Sequence, residues 1–161
     1  AGMAFANAFL GMSHSMAHKI GAVHHTVHGR TNAILLPYVI RYNGTRPSKT
    51  TTWPKYNYWK ADEKFQDIAR MLGLPHSTPE EAVEAYAKAV YDLGVAVGIK
   101  MNFKDQGIDE KAWKDSLHEI ALLAYEDQCS PANPRLPMVA DMEEIMADAY
   151  YGYAERPGRR K

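Results

Sequence analysis

The helix signal that decides the fold is Thr78-Pro79-Glu80-Glu81-Ala82-Val83-Glu84-Ala85-Tyr86-Ala87. Thr78 can accept a hydrogen bond from the first turn of a helix, and Pro79 suits the first helical position. Glu81 stands three residues after the cap, as in a capping box. The stretch therefore predicts a helix start at Thr78. The predicted buried stripe repeats at offsets of three and four residues and consists of Val83, Tyr86, Ala87, Val90, Leu93 and Gly94.

Helical patterns extend on both sides of this segment. Ala61 to Leu72 has amphipathic spacing, and Gly73 ends it. Asp109 is predicted to cap a further helix, and a short final helix ends before Gly152. No segment has a convincing strand pattern, so the predicted fold class is all-α.

Three segments give weaker signals. Ala1 to about Ile20 is rich in small and apolar residues without proline and predicts one buried helix. Residues 33–40 suit a strand by composition, but Pro37 would remove a ladder hydrogen bond, and a helix kinked at the proline is favoured. Tyr42 to Lys60 reads as a long loop. Four aromatic residues are expected to hold this loop on the surface: Trp53, Tyr56, Tyr58 and Trp59.

Length and composition favour a single globular domain over residues 1–161. Nineteen basic residues balance nineteen acidic ones, which argues against a nucleic-acid partner. No apolar run reaches the length of a membrane span, and the single cysteine, Cys129, is typical of a reducing compartment. We therefore expect a soluble, cytoplasmic protein. The opening residues from Ala1 lack a helix start signal, so the chain is interpreted as a piece of a longer protein.

Five histidines within fifteen residues indicate a possible functional site. They are His14, His18, His24, His25 and His28. On a helix His14 and His18 lie one turn apart on the same face, and a returning segment could bring His28 beside His14. Neutral imidazole is a common ligand for divalent metals. A hydrogen-bonded surface pair is the competing interpretation, and spacing alone does not decide between the two.

Two longer stretches carry a family resemblance. Gly11-Met12-Ser13-His14-Ser15-Met16-Ala17-His18-Lys19-Ile20-Gly21, continued by Val27-His28-Gly29-Arg30-Thr31-Asn32-Ala33, closely resembles the histidine signature of the iron-containing (group III) alcohol dehydrogenases. Together with residues 1–11 and 127–135, the pattern looks most like the alcohol dehydrogenase half of the bifunctional aldehyde-alcohol dehydrogenases of fermenting bacteria. The resemblance covers essentially the whole chain.

The resemblance implies a fold and a ligand set. The family resembles the dehydroquinate synthase type, with an N-terminal α/β part that binds the dinucleotide and a helical C-terminal part, and this chain looks like the helical part. Fe²⁺, or Zn²⁺ in some members, takes one Asp and three His. By motif, His14 and His28 would be the two ligands supplied here, and the other two would lie in an upstream nucleotide-binding domain.

The resemblance also implies an activity. The parent enzyme would interconvert a short primary alcohol and its aldehyde, ethanol and acetaldehyde in fermentation, with NAD(H) bound mainly by the upstream domain. His18 would lie near nicotinamide and substrate and relay the alcohol proton, and Cys129 would line the same cleft. His24 and His25 are not expected to be ligands. No glycine-rich nucleotide motif occurs in this chain, so alone it should not hold a nucleotide tightly.

A second hypothesis belongs to a different class. The chain could be a non-catalytic helical interaction or oligomerisation domain with only half a metal site. If the chain is instead part of a two-part enzyme, the face that should meet the missing nucleotide-binding domain carries Met3, Phe5, Phe9 and Met12, and its exposure predicts self-association.

Overall fold

The computed structural model describes residues 1–47 and 59–152, and within these residues it contains helices and no β-strand. The predicted all-α class is confirmed. Pro37 lies inside a continuous helix, as favoured from the sequence. The helices are α1 (Gly2–Ala8), α2 (Met12–His24), α3 (His28–Gly44), α4 (Ala61–Met71), α5 (Pro79–Ala96), α6 (Glu110–Tyr125) and α7 (Val139–Tyr151), with a 3₁₀ turn at Ser130–Ala132.

The two predicted helix caps are confirmed. The Thr78 hydroxyl oxygen accepts from the Glu81 N–H at 3.1 Å, and a carboxylate oxygen of Asp109 accepts from the Ala112 N–H at 2.9 Å. Each cap satisfies a backbone donor that has no partner inside the first turn. The predicted stripe of α5 is wrong at Leu93, which is 64% exposed.

The prediction of one buried helix from Ala1 to Ile20 is wrong. The chain breaks between α1 and α2, where Phe9 adopts a positive φ of 61° and Gly11 is extended. No residue of α1 is buried, because this helix has nothing to pack against in the described structure. Met12, which was expected on the exposed face, is completely buried at the start of α2.

The main core lies where α2 and α3 meet α6 and α7. Aromatic rings from three segments stack at its centre, since Trp113 lies between Phe103 and Tyr150 with ring centroids 5.0 and 5.1 Å apart. A smaller apolar cluster joins α3 to α5, and α4 packs on α5. The main core includes Met12, Met16, Ile20, Ile34, Leu35, Ile120, Met142 and Met146.

A buried amide ties three distant segments together at one end of this core. Asn133, in the loop before α7, accepts the Met12 N–H at 3.3 Å through its Oδ1. Its Nδ2 donates to Oδ1 of Asn43 at 2.7 Å, and the Asn43 amide donates back at 3.3 Å. Asn133 is 1% exposed. The loop from residue 129 to 135 is therefore fixed against the start of α2 and the end of α3.

The predicted loop from Tyr42 to Lys60 begins later than expected, because α3 continues to Gly44. Trp59 donates its indole N–H to the Asn43 carbonyl oxygen at 3.2 Å, as expected for an aromatic residue that anchors the loop. Trp53, Tyr56 and Tyr58 lie outside the described residues. In the described part of the chain, no helix combines the length and apolar content needed to cross a bilayer.

Gly44 provides a test of the contact between α3 and α5. A Cβ at Gly44 would lie 2.5 Å from Cγ2 and 2.7 Å from Cγ1 of Val83, a buried side chain with little rotamer freedom. We expect Gly44→Ala to lower the free energy of unfolding by about 1–3 kcal/mol, as overpacking does. Urea unfolding followed by circular dichroism measures this change.

Gly29→Ala is the matched control in the same helix. A Cβ at Gly29 meets nothing within 4 Å, so the free energy of unfolding should change by less than about 0.5 kcal/mol or increase. Equal effects of the two substitutions would contradict the packing of α3 on α5.

Candidate metal centre

Three imidazole rings meet where α2 and α3 face each other. His14 and His18 lie one turn apart on α2, and His28 is the first residue of α3. The ring centroids of His14 and His28 are 5.3 Å apart, those of His18 and His28 are 5.2 Å apart, and those of His14 and His18 are 6.2 Å apart. The structure thus brings together all three histidines that the sequence singled out.

A short reversal between the helices creates this convergence. His25 adopts the left-handed conformation (φ 54°) and ends α2, and Val27 is extended before α3 begins. The Thr31 hydroxyl donates to Oγ1 of Thr26 at 2.7 Å, which holds the connection against the first turn of α3. The direction of α3 is thereby set so that its first residue lies beside the histidine face of α2.

A polar chain between the two helices fixes the ring of His28. The Ser13 hydroxyl on α2 donates to Oδ1 of Asn32 at 2.9 Å. Nδ2 of Asn32 lies 3.2 Å from Nε2 of His28 and also donates to the His28 carbonyl oxygen. The orientation of His28 therefore depends on contacts of both helices.

The environment of His14 favours the form of imidazole that binds metals. Partial burial, followed by the nearby rings of His28 and His18, lowers the pKa of His14 below its ordinary value of 6.5. The neutral ring, which has a lone pair available for a cation, therefore dominates at neutral pH. A neutral imidazole at His14, next to the ring of His28, suits a divalent metal, so the residues present fit two positions of a metal site.

Asp127 lies on the other side of His18. Its Oδ2 is 3.3 Å from Nδ1 of His18 and 2.9 Å from the ammonium nitrogen of Lys19, and its Oδ1 accepts the Cys129 N–H at 3.0 Å. The side chain is only 8% exposed. Burial alone would raise the pKa of Asp127, but the hydrogen bonds from Cys129, Lys19 and His18 outweigh it and lower the pKa well below 3.8. The carboxylate stays ionised at all physiological pH values.

A second possible donor set shares these residues. Ligand atoms of His18, Asp127 and Cys129 lie within 4.8 Å of one another. Burial, and then the neighbouring Asp127, raise the pKa of the Cys129 thiol, so this sulfur is protonated at neutral pH. Lys19 already supplies a positive charge to the carboxylate. This set is therefore a weaker candidate for a cation than the imidazoles of His14 and His28.

The other histidines lie apart from this cluster. Nε2 of His24 is 3.0 Å from the Ser116 hydroxyl, its ring lies 5.3 Å from that of Trp113, and burial followed by the charge of His25 lowers its pKa. His25 is exposed. Two further histidines make local contacts: His76 with the Leu74 carbonyl and His118 with Glu143.

Sequence reasoning gave no role to Asp127 or Lys19. Asp127 is separated from His18 by 109 positions and follows the end of α6, so only the packing of α2 on α6 brings them together. No periodicity in the sequence connects such residues. One feature of the sequence could have identified Asp127: it lies two residues before Cys129, in the stretch that carries the family resemblance.

A helical domain in which three histidine rings converge is the class of protein that the described residues define. Sequence comparison assigns the family. The C-terminal region of the Fe-containing alcohol dehydrogenase family matches residues 1–150. The chain belongs to this family, which confirms the resemblance seen in the sequence.

Individual relatives agree with this assignment. An aldehyde-alcohol dehydrogenase of Streptococcus pneumoniae serotype 2 is 81% identical over 161 residues, which are 100% of this chain and 18% of that protein. A bifunctional aldehyde-alcohol dehydrogenase of Escherichia coli is 38% identical over 94% of this chain and 17% of its own length. The chain thus spans less than a fifth of these relatives.

Solved structures share the fold. A 1,3-propanediol oxidoreductase superposes with a TM-score of 0.76 at 31% identity, covering 92% of this chain and 35% of that protein. An alcohol dehydrogenase from Oenococcus oeni gives the same TM-score and coverage at 32% identity. The predicted helical domain of the iron-type alcohol dehydrogenase fold is confirmed.

Asp127 should make stability depend on acid pH. Because its pKa is lower in the folded chain than in the unfolded chain, the unfolded chain binds more protons below about pH 5, and this contribution is lost as pH falls towards the folded pKa. At pH 7 we expect Asp127→Asn to lower the free energy of unfolding by about 1–3 kcal/mol. The difference from wild type should shrink between about pH 5 and pH 3. Urea unfolding at several pH values measures it.

Asp92→Asn is the control, because Asp92 forms an exposed ion pair with Lys88 on one helix face. This substitution should change the free energy of unfolding by less than about 0.5 kcal/mol. A gap between wild type and Asp127→Asn that stays constant with pH would contradict the lowered pKa.

Proposed function

We propose that this chain is the metal-binding helical domain of an NAD(H)-dependent alcohol dehydrogenase that interconverts a short primary alcohol and its aldehyde. The proposed substrates are ethanol and acetaldehyde, the proposed process is fermentation and the proposed location is the cytoplasm. Relatives named aldehyde-alcohol dehydrogenase support an alcohol and aldehyde pair as the substrate class. The observation that carries the proposal is the convergence of the His14, His18 and His28 rings in a chain of this family. An upstream nucleotide-binding domain is the proposed partner.

His14 and His28 are the proposed metal ligands. Their rings adjoin one another, and the lowered pKa of His14 keeps that imidazole neutral. The remaining ligands would come from the partner domain, which would also bind most of NAD(H). Bound Fe²⁺ or Zn²⁺ would supply Lewis-acid chemistry, which acidifies an alcohol hydroxyl and polarises a carbonyl.

His18 is the proposed proton relay. Its side chain is 37% exposed and adjoins His28, so solvent and substrate can reach it. An imidazole nitrogen can accept the hydroxyl proton of the alcohol and return it when the aldehyde is reduced. Cys129 is buried beside Asp127, and we propose that it lines the cleft near the nicotinamide as a neutral thiol.

One feature favours the second candidate function, a non-catalytic interaction or oligomerisation domain. Met3, Phe5 and Phe9 are 84%, 54% and 72% exposed, and no residue of α1 is buried. An exposed apolar group of this kind commonly marks a contact surface. Under the first proposal the nucleotide-binding domain covers these residues.

A hybrid enzyme separates the two functions. This chain replaces the matching 161 residues of the S. pneumoniae aldehyde-alcohol dehydrogenase, to which it is 81% identical. We expect ethanol-dependent NADH formation and bound metal, measured by absorbance and elemental analysis. The His14→Ala/His28→Ala double variant should lose both. His18→Ala should keep the metal and lose roughly 10²–10⁴-fold in kcat.

Two controls make this result specific. His118→Ala changes an exposed histidine on α6, and Cys129→Ser removes the only sulfur of the second donor set. Neither should reduce metal content. A folded, metal-containing hybrid without turnover would leave the interaction domain as the better explanation. Metal loss in Cys129→Ser with retention in His14→Ala/His28→Ala would refute the proposed ligands.

The exposed residues of α1 predict self-association of the chain when no partner domain is present. We expect the weight-average mass in sedimentation velocity to increase with protein concentration, because association removes apolar surface from water. A variant with Ser at Met3, Phe5 and Phe9 should shift this increase to higher concentration. Serine at Met71 and Leu72, which are 85% and 60% exposed at the C-terminal end of α4, is the control. A monomer at all concentrations would contradict the prediction.

A further inference from the structure

A buried carboxylate that the proposed chemistry does not use lies beside the proposed proton relay. Asp127 is 8% exposed at its side chain and directs Oδ2 at Nδ1 of His18 at 3.3 Å. Burying a charge is unfavourable unless it is paired and hydrogen-bonded. The hydrogen-bond partners of the Asp127 carboxylate therefore show which side chains it can orient.

We propose that Asp127 is a positioning residue for His18: it accepts a hydrogen bond from Nδ1–H and so keeps Nε2 unprotonated as the proton acceptor. The neutral ring of histidine has two tautomers, and a partner on one nitrogen selects which of them is present. The consequence for catalysis rests on the proposed function of His18, whereas the choice of tautomer is a property of this chain alone.

Lys19 balances the charge of the carboxylate that faces His18. Its ammonium nitrogen lies 2.9 Å from the same oxygen of Asp127 that faces His18. The negative charge of the carboxylate is therefore already paired, and His18 does not need to be protonated to satisfy it. A neutral Nδ1–H is then a sufficient donor for the remaining lone-pair position on this oxygen.

The backbone holds the carboxylate in this orientation. Oδ1 of Asp127 accepts the Cys129 N–H at 3.0 Å, and the Asp127 carbonyl oxygen accepts the Ser130 N–H at 2.9 Å. The loop continues into Asn133, whose amide is bonded to the start of α2. The acceptor and the helix that carries His18 are therefore fixed relative to each other at two places.

Nitrogen-15 NMR of the histidine side chains tests the tautomer directly. The metal-free chain is measured above about pH 8, where an ordinary imidazole is neutral. We expect His18 in the wild type to be predominantly protonated at Nδ1. In Asp127→Ala the Nδ1–H population should fall to that of an unrestrained imidazole. Lys19→Met removes the other partner of Oδ2 without removing the acceptor, and it should leave the tautomer of His18 unchanged.

Two results would overturn the proposal. One is an unchanged His18 tautomer in Asp127→Ala, with the amide spectrum showing a folded chain. The other is a loss of the Nδ1–H form in Lys19→Met as large as in Asp127→Ala. If Asp127→Ala does not fold, Asp127→Asn replaces it. The neutral amide is a weaker acceptor than a carboxylate, so the Nδ1–H population should be reduced, and an unchanged population again overturns the proposal.

The hybrid enzyme connects the tautomer to turnover. Asp127→Asn should lower kcat roughly 10- to 100-fold with metal content and KM for ethanol unchanged, as loss of an orienting partner does. In the His18→Ala background Asp127→Asn should have no further effect on kcat, because Asp127 acts on turnover only through His18. An additive loss, or a loss of metal, means that Asp127 acts otherwise, for example as a ligand with Cys129.

The two proposals fail in different ways. If His18→Ala leaves turnover unchanged, the proposed relay is wrong, while the NMR result for Asp127 still stands. If the tautomer does not depend on Asp127 but His18→Ala abolishes turnover, the relay stands and the positioning role is wrong.

Discussion

The buried side-chain amide of Asn133 is the constraint on which the arrangement of the site depends. It joins the loop before α7 to the first turn of α2, 121 positions away in the sequence, and to the last turn of α3, 90 positions away. Gly11 approaches it so closely that a Cβ there would lie 2.8 Å from the amide oxygen. A buried amide without hydrogen-bond partners costs free energy. Displacing any one of the three segments would leave the Asn133 amide with an unmade hydrogen bond, so their positions depend on one another.

The position of the loop determines the electrostatics around the histidines. Asp127 at one end of the loop brings a charge to one side of His18, and Lys19 on the next position of α2 balances that charge. On the other side, the rings of His14 and His28 lie next to each other. Burial and the neighbouring histidines lower the pKa of His14, and no acidic group contributes to this shift. One helix thus presents two imidazoles in different environments, one beside a carboxylate and one among other rings. This difference supports different roles for His14 and His18.

The sequence predicted most helices because their caps and spacing are local, as at Thr78 and Asp109. It also predicted that His14, His18 and His28 lie together, since two are one turn apart and the third follows a short reversal. It failed for α1, because apolar composition indicates burial only when a packing partner exists, and none lies over Met3 or Phe5. It gave no role to Asp127 because that contact depends on tertiary packing.

The histidine cluster is assembled by protein contacts. The Ser13–Asn32–His28 chain of hydrogen bonds and the turn at His25 bring the rings together. The packing of α2 against α3 and α6 positions these rings, whose centroids lie 5.2 to 6.2 Å apart. Side chains that protein contacts already hold in place lose less conformational freedom when they bind a ligand.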